Sequence, residues 1–293
     1  MQNIVLENPY LRATVSSLGG ELISLVRKSD EKEYIWQGDS LFWEDHAPNL
    51  FPVCGRLCGG VHMYQGQRYH MPLHGFLRQR NLEISRTHCD FVTFVLDADA
   101  ETKMYYPYDF HLELTQALEG HRFVTKYRVT CLGKEMYFSW GGHPGFCMPV
   151  EKGCDYEDYS VVFAEKCEPK QLSITTDGFV GPRIADFPLE GGRRLPLRRA
   201  LFAVEGVFLR EAARELSICR DGIPLITVRY PDCPTLGLWT SNGGTAPFLC
   251  VEPWAGTPDP AGFACTLDKK PDMLYLSENR TYTGGFEIEI HEN

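Results

Sequence analysis

Four short segments set reactive side chains among glycines, prolines and aromatics. In Phe248-Leu249-Cys250-Val251-Glu252-Pro253-Trp254 an apolar run ends on a carboxylate. Carboxylates are seldom buried without a purpose, and partial burial raises the pKa of Glu252 towards that of a useful base near neutrality. The bland alternative is an exposed Glu at a strand end. Trp254 offers an aromatic face that could pack on the C–H face of a sugar. In Phe138-Ser139-Trp140-Gly141-Gly142-His143-Pro144-Gly145-Phe146, a histidine follows two glycines. Pro144 fixes its own φ and steers His143 towards extended backbone. A large group could approach the chain at Gly141 and Gly142, and an imidazole there suits acid–base work.

The third segment, Met71-Pro72-Leu73-His74-Gly75-Phe76-Leu77-Arg78, encloses His74 between Pro72 and Gly75. That points to a fixed turn presenting the ring, with a hydrogen-bonded core histidine as the alternative. His70 and His74 have HxxxH spacing, a metal pair on a helix, but Pro72 and Gly75 break any such helix. A zinc centre also needs three or four converging ligands, so no metal is expected. The fourth segment, Phe51-Pro52-Val53-Cys54-Gly55-Arg56-Leu57, carries one guanidinium in an apolar run. Its five fixed donors suit vicinal hydroxyls or a carboxylate; a surface Arg at a strand end is the other reading. No segment holds the paired carboxylates of a glycosidase. Asp259 follows Glu252 by seven positions, but Pro258 and Pro260 bracket it in what reads as a loop. There is no G-x-S-x-G elbow and no P-loop, and Gly59-Gly60 is too little for a phosphate cradle.

The elements that must position these groups read as strands. Apolar residues alternate through 91–96, then through Phe110, Leu112 and Leu114. Glu119-Gly120-His121 turns the chain into Phe123, Tyr127, Val129 and Cys131, a hairpin pattern. Further strands are expected at 22–26, 34–37, 136–140, 159–163, 225–230, 236–240, 248–252, 273–276 and 286–290. Helical periodicity is scarce; the best stretch is 208–216 (FLREAAREL), which also reads as a strand followed by a polar turn. Many short strands without intervening helices imply sheet packed on sheet. The expectation is all-β, one large antiparallel β-sandwich over residues 1–293. The alternative is a split near 151–158.

With 43% hydrophobic and 23% charged residues the chain is globular in composition, not disordered. Its 39 acidic and 29 basic side chains give a net charge of −10, which argues against nucleic-acid or anionic-membrane partners. Arg193, Arg194, Arg198 and Arg199 lie among glycines and Pro196 and read as a solvated loop. The N-terminus lacks a basic start and a long apolar run, so no signal peptide is expected, and no stretch is apolar enough for a membrane helix. The 11 cysteines are odd in number and none is spaced C-x-x-C. Reduced thiols in the cytoplasm, serving as small core hydrophobes, follow as the expectation.

In order and content the four segments resemble the aldose 1-epimerase (galactose mutarotase-like) family, in its LacX-like branch. The resemblance runs from Glu21-Leu22-Ile23-Ser24-Leu25 and Tyr34-Ile35-Trp36-Gln37-Gly38-Asp39, through the four segments, to Lys270. It implies a β-sandwich of the galactose mutarotase type and interconversion of α and β anomers of an aldose. His143 would be the general acid and Glu252 the general base. Arg56 and His74 would hold the monosaccharide, with Glu205 standing where the family usually has an Asp. No cofactor is implied. The expected geometry is an acid and a base on opposite sides of the ring, with the base pKa raised modestly. Two other readings stay open: a hexose-phosphate 1-epimerase, with the arginines of 193–199 at the pocket mouth, and a non-catalytic sugar-binding module. The resemblance says nothing of which aldose is used or of oligomeric state.

Overall fold

The computed structural model describes residues 1–204, 206–263 and 266–292. Among them the helical pieces are 3-10 turns of three or four residues; all other regular structure is strand, and every strand ladder is antiparallel. No helix of the described residues is long and apolar enough to cross a membrane.

A nine-stranded sheet contains the expected hairpin, next to the central strand Thr281–Ile290. Phe110–Glu119 pairs with Arg122–Cys131 from Phe110↔Cys131 to Glu119↔Arg122. The two-residue loop needs positive φ at its first position, and Gly120 supplies it at +63°. Along Phe110–Glu119 burial alternates residue by residue, so Phe110, Leu112 and Leu114 face the core as the period of two requires. Strands from before and after 151–158 share this sheet, and Val150, Tyr156 and Tyr159 belong to the same apolar core.

The second large sheet has eight strands, ordered Val180–Asp186, Lys170–Ile174, Val207–Arg210, Thr235–Trp239, Phe248–Trp254, Gly141–Gly142 and Asn49–Leu50, with Gly145–Cys147 also pairing to Phe248–Trp254. Its two faces have different tasks. Val207, Leu209, Leu236, Leu238, Leu249 and Val251 point into the main core. Their neighbours Phe208, Trp239, Phe248, Cys250 and Trp254 belong to separate small clusters on the opposite face. Glu252 shares that second face by parity. Burial of large apolar side chains, each contributing roughly 1.5–3 kcal/mol, thus fixes the register from behind. A slip by one residue would turn Glu252 into the core.

Of the two readings of 208–216 the strand followed by a turn holds and the helix does not: Val207–Arg210 and Glu215–Arg220 are strands joined by a turn at Glu211, whose φ is +57°. The apolar residues Phe208 and Leu209 face opposite sides of a sheet, so the apparent helical spacing merely spans two strands. Residues 34–37 form one isolated bridge, Ile35 to Phe146, instead of a strand. Trp36 instead turns its indole into a small cluster with Phe248.

Gly75 shows how tightly the site loops are joined. Its φ is +76°, and a Cβ there would fall on the Phe51 carbonyl and within 2.7 Å of the Pro52 nitrogen. Gly75→Ala is expected to lower unfolding free energy by at least about 2 kcal/mol, read from the urea midpoint. A change below about 0.5 kcal/mol would show that this close approach is dispensable.

Candidate active site

Three of the four segments converge on one cavity of about 390 Å³ on the second face of the eight-stranded sheet, and the fourth brings Arg56 to its rim. Glu252 reaches it from Phe248–Trp254, which is buried along its whole length. Gly237 lies directly opposite Glu252 in the ladder. A Cβ on Gly237 would come within 3.0 Å of the Glu252 Cβ and of the Phe208 ring, so the missing side chain makes room for the carboxyl. His143 enters from the end of Gly141–Gly142, its N–H donating to the Pro48 carbonyl at 3.1 Å. The two glycines do not admit a ligand, as the sequence suggested. A Cβ on Gly142 would meet the Phe286 ring at 2.5 Å, and one on Gly141 would meet the Trp254 ring at 2.7 Å. They let protein side chains close against the backbone just before His143.

His143 Nε2 stands 3.4 Å from Glu252 Oε1, with the two residues 8% and 1% exposed. Two expectations change here. The pair is adjacent, not placed on opposite sides of a bound ring. Burial of Glu252 is complete, not partial. With desolvation as the cause, the Glu252 pKa rises well above its ordinary value, more than the modest shift anticipated. Burial also pushes the His143 pKa down to about 3, with the positive charge of Arg78 acting in the same direction. These shifts favour a neutral imidazole and a protonated carboxyl: one transferable proton and one free lone pair, side by side. The Nδ1 of His143 and the Oε1 of Glu252 have no hydrogen-bond partner among the described residues.

His74 sits in the expected turn, with φ +64°. The Gly55 N–H donates to its Nδ1 at 3.1 Å, and its own N–H donates to the Gly55 carbonyl at 3.0 Å. An Nδ1 that accepts leaves the proton of the neutral ring on Nε2. Burial and the neighbouring His143 hold the His74 pKa well below the usual imidazole range, so the ring is a neutral donor. The His74 and His143 rings meet edge to face at 5.4 Å between centroids. Arg56 is exposed at the rim, on a loop and not at a strand end. Glu205 lies outside the described residues.

Trp254 lines the cavity but is 2% exposed, already packed against His74 and Phe208. The less enclosed indoles are Trp43 and Trp239, both half-buried and both against the His143 ring. Sequence reading missed them. Parity offered a signal for Trp239, which shares a face with Gly237 opposite the core-facing Leu236 and Leu238. Trp43 comes from a loop and had none. Asp45 and Arg78, paired at 3.1 Å, complete the polar wall.

His70 ends the hairpin strand Gln67–His70, exposed, and does not line the cavity with His74. A different trio, His143, Cys250 and Glu252, brings one possible ligand atom each to within 4.8 Å of the others. Burial drives the Cys250 thiol pKa well up, and the residue packs with Trp36, Ala246 and Phe248. A neutral packing sulfur is a poor ligand, and the trio is not assigned as a metal centre. The arginines of 193–199 are engaged elsewhere: Arg193 donates to the Phe163 carbonyl, Arg194 pairs with Glu190, and Arg199 lies over the Tyr156 ring. None of them lines the cavity.

Comparison with known proteins identifies the family and the fold. A family model described as aldose 1-epimerase matches residues 2–280. Protein LacX of Lactococcus lactis subsp. lactis is 31% identical in its plasmid form and 32% in its chromosomal form, each alignment covering 98% of this chain and 99% of the relative. Among solved structures, a galactose mutarotase-like protein from Lactobacillus casei superposes with a TM-score of 0.91 at 30% identity, covering 99% of this chain and 100% of its own. A galactose mutarotase related enzyme from Lactobacillus acidophilus gives a TM-score of 0.94 at 26% identity, covering 99% of this chain and 98% of its own. The fold is the galactose mutarotase-like β-sandwich, and the chain belongs to the aldose 1-epimerase family.

Proposed function

We propose that the protein interconverts the α and β anomers of an aldose by acid–base ring opening and closure. The observation that carries this is the 3.4 Å approach of His143 and Glu252 inside one cavity. Ring opening removes a proton from O1 and delivers one to O5. Both oxygens are bonded to C1, so two groups standing side by side can serve them. The C1–O5 bond breaks, O5 leaves as a hydroxyl and C1 becomes an aldehyde. After rotation about C1–C2, closure on the other face reverses both transfers. The pair ends with the number of protons it began with, and the chemistry calls for no cofactor.

The family resemblance makes His143 the acid and Glu252 the base. Burial sets the resting proton on Glu252, so the productive state forms when that proton crosses to His143. Sugar hydroxyls donating to the carboxylate favour its ionised form, which lowers the cost of the crossing. Arg56 and the Nε2–H of His74 act as donors that orient the ring and its oxygens. The hexose-phosphate reading loses the basic cluster it relied on, because the arginines of 193–199 lie away from the cavity. Rates on glucose and glucose 6-phosphate compare the two directly.

Polarimetry on freshly dissolved α-glucose or α-galactose tests the assignment. His143→Ala or Glu252→Gln is expected to lower kcat/KM by ~10²–10⁴-fold with the fold intact by circular dichroism. Normal rates in both variants would refute it, and sugar binding without acceleration in the wild type would favour the non-catalytic module. Arg56→Ala should chiefly raise KM; a large loss of kcat at constant KM would contradict its role.

The pH dependence follows from the directions of the shifts. The active pair holds one proton. On the acid side it gains a second only near the depressed His143 value of about 3. On the alkaline side it loses its proton above the raised Glu252 value. Free-enzyme kcat/KM, corrected for spontaneous mutarotation, should therefore show no acid limb near the ordinary imidazole value of about 6.5. An activity loss on acidification through that value would sink the proton inventory.

A further inference from the structure

The guanidinium of Arg56 is exposed at the cavity rim and forms no hydrogen bond or ion pair among the described residues. Its direction is therefore set by its backbone. Gly55, just before it, is held by two hydrogen bonds to His74. The chain after it is held by Asp259. The Asp259 N–H donates to the Arg56 carbonyl at 2.8 Å, and its Oδ2 accepts from the Cys58 N–H at 2.7 Å. One residue thus grips the backbone on both sides of Leu57. The same residue fixes what lies alongside Arg56. The Val180 N–H donates to the Asp259 carbonyl at 2.9 Å, and the Ala261 N–H donates to the Val180 carbonyl at 2.8 Å. Two positions before Val180, Gly178 passes against the arginine: a Cβ there would stand 3.2 Å from Arg56 Nε and 3.3 Å from its Cδ.

The sequence placed Asp259 in a proline-bracketed loop; the loop is there, but the carboxylate is inside, its side chain 5% exposed. Lys270, with a side chain 1% exposed, brings Nζ to 3.3 Å from Oδ1 and donates to the Thr257 carbonyl at 2.6 Å. Burial pushes the Asp259 pKa up and the Lys270 pKa down, and the charge of each partner opposes the other's shift. Buried ion pairs add little net stability, so stability is a poor account of this one. What the carboxylate supplies is an acceptor for the Cys58 N–H, with Lys270 compensating its charge. Neither side chain lines the cavity.

We propose that Asp259, charge-compensated by Lys270, is a positioning residue that aims Arg56 into the cavity by clamping the Arg56–Cys58 backbone. The inference rests on the role proposed for Arg56 as a donor to the sugar.

Three readouts test it. Tryptophan fluorescence, with Trp43 and Trp239 at the cavity, gives the Kd for glucose and galactose independently of turnover; polarimetry gives kcat and KM; amide hydrogen exchange follows the loop without any sugar. Asp259→Ala should raise Kd and KM roughly ten-fold, with kcat within about two-fold and the pH profile unmoved. Exchange should quicken about ten-fold over residues 56–60 and stay unchanged over 248–254. In an Arg56→Ala background the same change should cost less than about two-fold in Kd, because its effect passes through the arginine. The double variant Asp259→Asn/Lys270→Met removes both charges and keeps an oxygen for the Cys58 N–H. It should bind within about three-fold of wild type, and it serves equally if Asp259→Ala fails to fold.

A lowered melting temperature with unchanged Kd, or an equal loss of affinity with and without Arg56, would reduce Asp259 to a structural role. A double variant that folds but binds ten-fold more weakly than wild type would overturn the clamp. Loop exchange and Kd changing as stated, with no sugar accelerated by the wild type, would leave the positioning role standing and sink the anomerase reading instead.

Discussion

Glu252 sits at the centre of the eight-stranded sheet, 1% exposed, with no hydrogen-bond partner for Oε1 among the described residues. An ionised carboxylate in such surroundings costs several kcal/mol in lost hydration. The protein keeps the group by holding it neutral and by setting beside it an imidazole, His143, also desolvated and also neutral. The rest of the site is arranged around that pair. Gly237 vacates the volume beside the carboxyl, Trp43 and Trp239 shield the imidazole, and His74 is fixed as a donor by the Gly55 backbone.

This constraint also explains the division of labour between the faces of the sheet. One face spends its side chains on the main core and so fixes register. The other is released from that duty and can carry a carboxyl, a thiol and indoles around a cavity. Glu252 stands on a strand, while Arg56 and His74 come from loops braced by the backbone of neighbouring segments. In the proposed reaction, a pair pre-arranged on one strand and just past the end of another needs little reorganisation, which is where electrostatic catalysis gains most.

Much of the site was legible residue by residue. A carboxylate ending an apolar run, a histidine after two glycines, and a histidine between proline and glycine are local anomalies, and each lies in the cavity. The strands were legible for the same reason: alternation at 91–96 and through the long hairpin is a one-dimensional signal of a two-faced sheet. The stretch 208–216 stayed ambiguous between helix and strand because two strands meeting at a turn put apolar residues at helical spacing. Trp43, Asp45 and the Asp259–Lys270 pair left no local signature, since their neighbours in space are far along the chain.

Sequence alone determined the class of fold, the titratable side chains that are candidates for the site, and the family resemblance that joins them. Those properties are set by residue type, period and short-range spacing. Only the tertiary structure decided that His143 and Glu252 are adjacent, that the carboxyl is fully enclosed, and that the glycines before His143 serve packing. Distance and desolvation depend on how separate strands and loops meet, and no local stretch of residues encodes either quantity.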